Sequence, residues 1–299
     1  MNILHTIASF LFWILLLSIG TGCQTTRNLS VLSYYEYDDS APLDALVAPL
    51  PSDKSDHRVY EVRFSGTHQQ TITGILSYPR QAREPAPVII LIHGLGDRAN
   101  VDYITAGEEF LREAGFAVLR LDLYNHGKRR SSKFDFSFES STRYRSREII
   151  TQSVFDLRRS IDFIESREDL DSDRIGYLGI SLGGVIGTIF TAVDKRVKVP
   201  VIALAGGGLN LMFGLKAFSS ENKNYLSVID PINYVRQIAP RPLLMINAEN
   251  DEIIPPLTSK LLFKKARHPK KIIWHAATHR TIPLDKTFLD GIQWFEEHL

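Results

Sequence analysis

Arg174-Ile175-Gly176-Tyr177-Leu178, then Gly179-Ile180-Ser181-Leu182-Gly183, then the small-residue stretch from Gly184 to Ala192: no other part of the chain constrains its fold as much as this succession. A short apolar run, a serine between glycines, and a run of small and apolar residues read as a strand, a tight turn and a helix. Glycine at the flanking positions removes the side chains that would clash in so sharp a reversal. The turn lifts the Ser181 hydroxyl clear of the backbone. A hydroxyl is a poor nucleophile, so a serine presented in this way needs a base, which at neutral pH means histidine, and an acid to orient that histidine. An incidental serine in a glycine-rich loop carries the same letters; the flanking strand and helix, and partners elsewhere in the chain, separate the two readings.

Both partners have candidates downstream. Arg241-Pro242-Leu243-Leu244-Met245-Ile246-Asn247-Ala248 has the pattern of a buried strand and opens into Glu249-Asn250-Asp251-Glu252. Three acids therefore sit at the tip of that strand. Further on, Ile272-Ile273-Trp274-His275 leads into Ala276-Ala277-Thr278-His279-Arg280, which puts His279 in the loop after the last strand.

With the order Ser181, Asp251, His279, each after an expected strand, the chain resembles the α/β-hydrolase superfamily. Within it the chain looks most like the dienelactone hydrolase, acetyl xylan esterase and prolyl oligopeptidase-like branches. The likeness spans about residues 59 to 299. It rests on the elbow, on Leu91-Ile92-His93-Gly94-Leu95-Gly96-Asp97, on Asp122-Leu123-Tyr124-Asn125-His126-Gly127, and on Asp230-Pro231 ahead of the segment from Pro240 to Pro255. It implies an α/β-hydrolase fold: a mostly parallel central sheet with helices on both faces and a small lid insertion. It also implies Ser181 as nucleophile, His279 as base and Asp251 as acid, since Asp251 matches the ending through Ile254-Pro255 where Glu249 and Glu252 do not. The backbone N–H groups of Leu95 and Leu182 become the oxyanion hole. A small-molecule ester is the expected substrate, with no cofactor and no metal. A peptidase with the same triad and a non-catalytic binding module on this fold are the other readings.

Hydrophobic residues make up 44% of 299, enough for one large core and no second globular domain. Lys plus Arg number 35 against 34 Asp plus Glu, so no global field draws nucleic acid. Alternating hairpin-like strands at 59–64 and 71–78 form an expected antiparallel edge. Beyond them strands at 88–92, 117–121, 174–178, 199–204, 243–247 and 272–274 alternate with helices at 103–114, 150–165, 182–193, 257–266 and 285–298. That alternation predicts a parallel sheet covered on both sides.

The first residues form a separate unit. Ile7 to Ile19 is apolar, shorter than the roughly 20 residues a bilayer span needs, and ends in Gly20-Thr21-Gly22-Cys23, which resembles a bacterial lipoprotein signal. Cys23 is the only cysteine, as lipid attachment would leave it. The expected organisation is a signal peptide over 1–22, a lipid-anchored tether over 23–57 and the catalytic domain over 58–299. Gln24 in place of aspartate favours the outer membrane. The N-terminal region carries no Lys or Arg before Cys23, and Gly20 stands where an aliphatic residue is usual, departures that keep a non-lipid signal, cleaved or uncleaved, and a buried structural N-terminus as the other readings.

The remaining signals are weaker. His275 and His279 are four apart, but on a strand-to-loop segment without the glutamate of a zinc helix they predict no metal site. His93 and His126 are expected to brace turns by hydrogen bonding. Gly206-Gly207-Gly208 opens no phosphate-loop pattern and reads as a tight loop. Lid candidates are 128–149 and 208–229. The first, over 128–147, holds seven Lys or Arg against two acids, with Phe134, Phe136, Phe138 and Tyr144 interleaved. It reads as a solvated excursion packed on the body, a substrate-selecting flap, or a contact for anionic lipid.

Overall fold

Val199–Ala203 and Leu243–Ala248 are buried along their whole length because both faces of the sheet are covered there. In the computed structural model, which describes residues 31–51, 58–79, 85–131, 136–137, 143–211 and 224–299, these runs belong to one sheet. Its strands are β1 (Leu46–Pro49), β2 (Val59–Ser65), β3 (Thr71–Ser77), β4 (Ala86–Ile92), β5 (Ala117–Leu121), β6 (Leu170–Ile180), β7 (Val199–Ala203), β8 (Leu243–Ala248) and β9 (Lys270–His275). They lie in the order β1-β2-β3-β5-β4-β6-β7-β8-β9. From β1 to β5 neighbours pair antiparallel, and from β5 to β9 they pair parallel. The expected antiparallel edge and parallel body are both present.

Helices α1 (Asp102–Glu113) and α5 (Leu284–His298) cover one face, where Ile104, Leu111, Phe288 and Phe295 meet Ile89, Leu178 and Ile246. On the other face α2 (Arg143–Glu165), α3 (Leu182–Val193) and α4 (Pro256–Lys265) bury Ile161, Ile186 and Leu262 against Ile90, Tyr177 and Met245. Alternate residues of β8 illustrate the division: Leu243 and Met245 join one core, Leu244 and Ile246 the other. The chain leaves β4 for β5 on one side and returns to β6 on the other, so the order reverses at β4. A crevice opens beyond the carboxyl ends of strands at such a point.

Two boundaries differ from expectation. The tether assigned to 23–57 does not extend to residue 57, because Val31–Leu299 forms one compact unit. Val31–Tyr35 is a 3-10 turn whose Tyr35 is buried and donates to the Val228 carbonyl at 2.6 Å, and Leu46–Pro49 adds a short strand to the sheet edge. The clamp is Arg159 of α2, fully buried. Its guanidinium donates to the carbonyls of Ala41 at 2.9 Å, Pro42 at 3.2 Å and Asp39 at 3.4 Å, and pairs with Asp162 at 2.8 Å. Polar composition hid this arm, whose partners are over a hundred residues away. The signal peptide and Cys23 lie outside the described residues.

Helix α2 also begins at Arg143, not 150. Arg143 and Arg147, one turn apart, lie over the Tyr225 ring at 5.3 and 5.7 Å, and Arg147 over Tyr34 at 5.6 Å. Cations expected in solvent therefore hold a helix to the body. Of the two lid candidates, 132–135, 138–142 and 212–223 lie outside the described residues. Among the described residues no helix is long and apolar enough to cross a membrane.

Removing a buried cation strands the groups it satisfied. Arg159→Ala is therefore expected to lower the unfolding free energy by about 3 kcal/mol and to expose the 36–45 arm to limited proteolysis before the body unfolds, read by urea titration and by mass spectrometry of the first fragments.

Candidate active site

Ser181 stands between the last residue of β6 and the first of α3 with φ 57° and ψ −115°, a left-handed conformation that a serine adopts only under constraint. The constraint is steric. A Cβ on Gly179 would come 2.5 Å from the Gly183 carbonyl oxygen, and one on Gly183 would come 2.7 Å from that of Ile92. The turn is thus wedged against the carboxyl end of β4, and the Ser181 N–H donates to the Ala203 carbonyl at the end of β7 at 2.9 Å.

Asp251 and His279 reach the same point from the loops after β8 and β9. Those loops are zipped together, Glu249 N–H to the His275 carbonyl at 2.9 Å and Asn250 N–H to the Ala277 carbonyl at 3.0 Å. His279 Nδ1 lies 2.8 and 2.9 Å from the two Asp251 oxygens, and Nε2 lies 3.0 Å from Ser181 Oγ. With an ionised carboxylate as acceptor, Nδ1 carries the proton and Nε2 accepts from the serine hydroxyl. Asp251 Oδ1 also accepts from the N–H groups of Ile253 at 2.9 Å and Ile254 at 2.7 Å, which fixes the carboxylate from behind. The other two acids do not take this place: Glu252 accepts from the His279 backbone N–H at 3.0 Å, and Glu249 is exposed.

Leu95 and Leu182 both line the cavity at Ser181, Leu182 as the first residue of α3, where helical N–H groups have no partner within the helix. The peptide joining Gly94 to Leu95 is held from its carbonyl side. His93 Nδ1–H donates to the Gly94 carbonyl at 2.7 Å while its Nε2 accepts from the Leu123 N–H at 3.3 Å. Carbonyl and N–H of one peptide point in opposite directions, so anchoring the Gly94 oxygen also directs the Leu95 N–H. Burial holds the His93 pKa below its ordinary value, consistent with this neutral tautomer.

Sequence reasoning missed the other half of this brace. Tyr103, at the start of α1, accepts from the Gly94 N–H at 2.8 Å and donates to Asp97 Oδ2 at 2.8 Å. The pair closes the loop on itself. Asp97 was visible within the quoted motif, but nothing in the sequence separates Tyr103 from the aromatic residues that simply begin an amphipathic helix. Asp122 is a second hub, accepting from the N–H groups of Ala99 at 2.8 Å and Lys128 at 3.1 Å and from the Thr73 hydroxyl at 3.3 Å. Gly127, at φ 51°, is required there because a Cβ would collide with that carboxylate. His126 donates from Nδ1 to the Tyr124 carbonyl at 2.9 Å.

A cavity of about 780 Å³ opens at Ser181 and His279. Ser137 and Phe136 of the first lid candidate and Leu209 of the second line it. Among the described residues no three His, Cys, Asp or Glu side chains gather as metal ligands would; His275 instead contacts Asp290 at 3.1 Å.

Comparison with known proteins places this geometry in context. Residues 87–213 match the family described as alpha/beta hydrolase fold. Among curated proteins the chain is 27% identical over 134 residues to YtaP of Bacillus subtilis (strain 168), covering 41% of this chain and 44% of that protein. It is 26% identical over 146 residues to Esterase FrsA of Photorhabdus laumondii, covering 48% of this chain and 31% of that one. The chain thus spans less than half the length of each of these two relatives. Among solved structures, an acetyl xylan esterase from Paenibacillus sp. R4 superposes with a TM-score of 0.73 at 19% identity, covering 91% of this chain and 99% of that one. Acetyl xylan esterase 1 from Thermoanaerobacterium sp. JW/SL YS485 does so at 0.73 and 16%, covering 89% and 92%. The chain has the α/β-hydrolase fold.

Burial holds the His126 pKa down, from 6.5 to about 4. Below pH 6.5 the unfolded chain takes up a proton that the folded one refuses until about pH 4, so stability present above that window is lost as pH falls through it. The expected loss from this residue is about 3 kcal/mol. Urea unfolding at stepped pH should show that slope, flattened in His126→Asn.

Proposed function

We propose that this chain is a serine hydrolase that cleaves carboxylic esters through an acyl-enzyme intermediate. The observation that carries the reading is the hydrogen-bonded line from Ser181 Oγ through both His279 nitrogens to Asp251. In it, Ser181 Oγ attacks the ester carbonyl carbon as its proton passes to His279 Nε2. Asp251 holds the Nδ1–H and stabilises the imidazolium. The N–H groups of Leu95 and Leu182 receive the negative oxygen of the tetrahedral intermediate. Collapse expels the alcohol, which takes the proton from Nε2. Water then attacks the acyl-serine, gives its proton to the same nitrogen, and releases the acid and free serine.

The names of Esterase FrsA and of the two acetyl xylan esterases support an ester over a peptide substrate. A binding module needs no proton relay, whereas here serine, histidine and acid are in direct contact. The lipid anchor at Cys23 and export to a bacterial membrane, at its outer membrane or periplasmic face, belong to the same proposal and rest on the sequence from Ile7 to Gln24.

Ser181→Ala is expected to lower turnover of an aryl ester roughly a million-fold and to abolish fluorophosphonate labelling, with the melting midpoint nearly unchanged. Asp251→Asn leaves the shape but favours the wrong tautomer, so kcat falls about ten thousand-fold, while Glu249→Gln and Glu252→Gln stay within about twofold. A crippled Glu249 or Glu252 variant beside an active Asp251→Asn overturns the acid assignment. For the anchor, cells fed labelled palmitate should incorporate it at Cys23, and Cys23→Ser should release the protein; an unmodified Cys23 peptide by mass spectrometry removes that part and leaves the chemistry intact.

A further inference from the structure

We propose that the cavity at Ser181 selects esters of straight, medium-length aliphatic acids, an inference that rests on the ester-hydrolase reading. The alcohol must leave beside His279 Nε2, from which it takes its proton, so the arm of the cavity away from His279 receives the acyl group. Phe136, Ile150, Val185 and Leu209 line the cavity and are assigned to that arm because all four belong to, or pack on, the core beneath α2 and α3, whereas Ile282, three residues from His279, joins the opposite core. Ile180, Leu204 and Ile282, from the opposite core, complete an aliphatic lining near the nucleophile.

The wall is built in advance. Asp230 accepts from the Leu209 N–H at 2.8 Å and from the Gly208 N–H at 2.8 Å, which sets the Leu209 side chain against the cavity. Ile150 is 1% exposed and sits in the second turn of α2. An acyl chain entering this arm meets side chains already ordered, so little is lost in arranging them.

Of the polar side chains that line the cavity, Arg280 is exposed at its rim, and several of the others are engaged with neighbours. Asp97 and Tyr103 satisfy each other and Gly94, and the Ser137 backbone is held by the Ser146 hydroxyl, its N–H donating at 2.7 Å and its carbonyl accepting at 2.9 Å. A polar acyl group brings hydroxyls that each need a partner once they leave water. Among the described residues, the side chains of Phe136, Ile150, Val185 and Leu209 offer none. An acetyl group, at the other extreme, is too short to reach most of these apolar side chains.

Burying one methylene is worth about 0.8 kcal/mol, a factor of about four in kcat/KM. The full-length protein should therefore hydrolyse p-nitrophenyl esters with kcat/KM rising about fourfold per added CH2 from acetate to about octanoate, and falling once the arm is full. Leu209→Trp shortens the arm and is expected to cut the octanoate-to-acetate ratio of kcat/KM by about tenfold or more. Val185→Leu, a one-methylene change that the core tolerates more readily, should lower that ratio about fourfold if the tryptophan variant does not fold. Acetate as the best substrate, a hydroxycinnamoyl ester preferred over octanoate, or an unchanged ratio in both folded variants overturns the inference while leaving the hydrolase reading intact. Absence of both fluorophosphonate labelling and ester turnover overturns the reading itself.

Discussion

The wedge at Gly179-Ile180-Ser181-Leu182-Gly183 is the constraint on which the rest of the molecule depends. Positive φ at Ser181 is tolerated only because β4, β6 and β7 close around the turn. A Cβ on Gly183 would meet the Ile92 carbonyl and one on Gly184 the Ala203 carbonyl at 2.8 Å, so the helix start is seated directly on the ends of the two neighbouring strands. Strain stored at one residue is thus held by the close approach of several backbones. The same seating aligns the first N–H groups of α3 with the crevice where the strand order reverses.

Around that wedge, orientation is supplied by polar side chains whose own freedom has been removed. His93 and Tyr103 hold the two peptides of Gly94 from opposite sides. Asp122 ties the following loop to β3 and to the Asn125–Gly127 turn, and Asp230 ties Gly208 and Leu209 to the 3-10 turn Pro231–Asn233. Burial raises the pKa of Asp230, yet three backbone N–H groups oppose that shift. The loops are irregular but not loose: each has a buried carboxylate, imidazole or phenol taking up the backbone groups that no strand or helix satisfies.

What the sequence makes legible follows from how local each signal is. Val88–Ile92 and Val199–Ala203 read as strands because burial on both faces leaves only apolar residues, and Leu243–Ala248 departs from that rule at the buried Asn247 alone. The order of Ser181, Asp251 and His279 is equally open to reading, since each follows a strand that announces itself. The non-local pieces are hidden. β1 is short and largely exposed, so it has no pattern of its own. The first turns of α2 are cationic and look solvated until Tyr34 and Tyr225 are placed beneath them. β6 begins at Leu170 with polar residues through Arg174, across a register shift at Pro87 and Val88, and only its apolar end is recognisable.

The arm from Val31 to Pro49 shows how far such hidden contacts reach. Tyr35 and Tyr234 both donate to the Val228 carbonyl, at 2.6 and 2.9 Å, and Asp230 two residues later holds Leu209 at the cavity. The Tyr37 hydroxyl donates to Asp162, which also pairs with Arg159 and Arg196. Residues that look like a spacer therefore lie against the segment that carries one wall of the crevice. The arm is held at its start by the side chains of Tyr35 and Arg159 and at its end by the backbone ladder of β1 with β2. Through Val228 and Asp230 these contacts run on to Leu209, which lines the same cavity as Ser181 and His279.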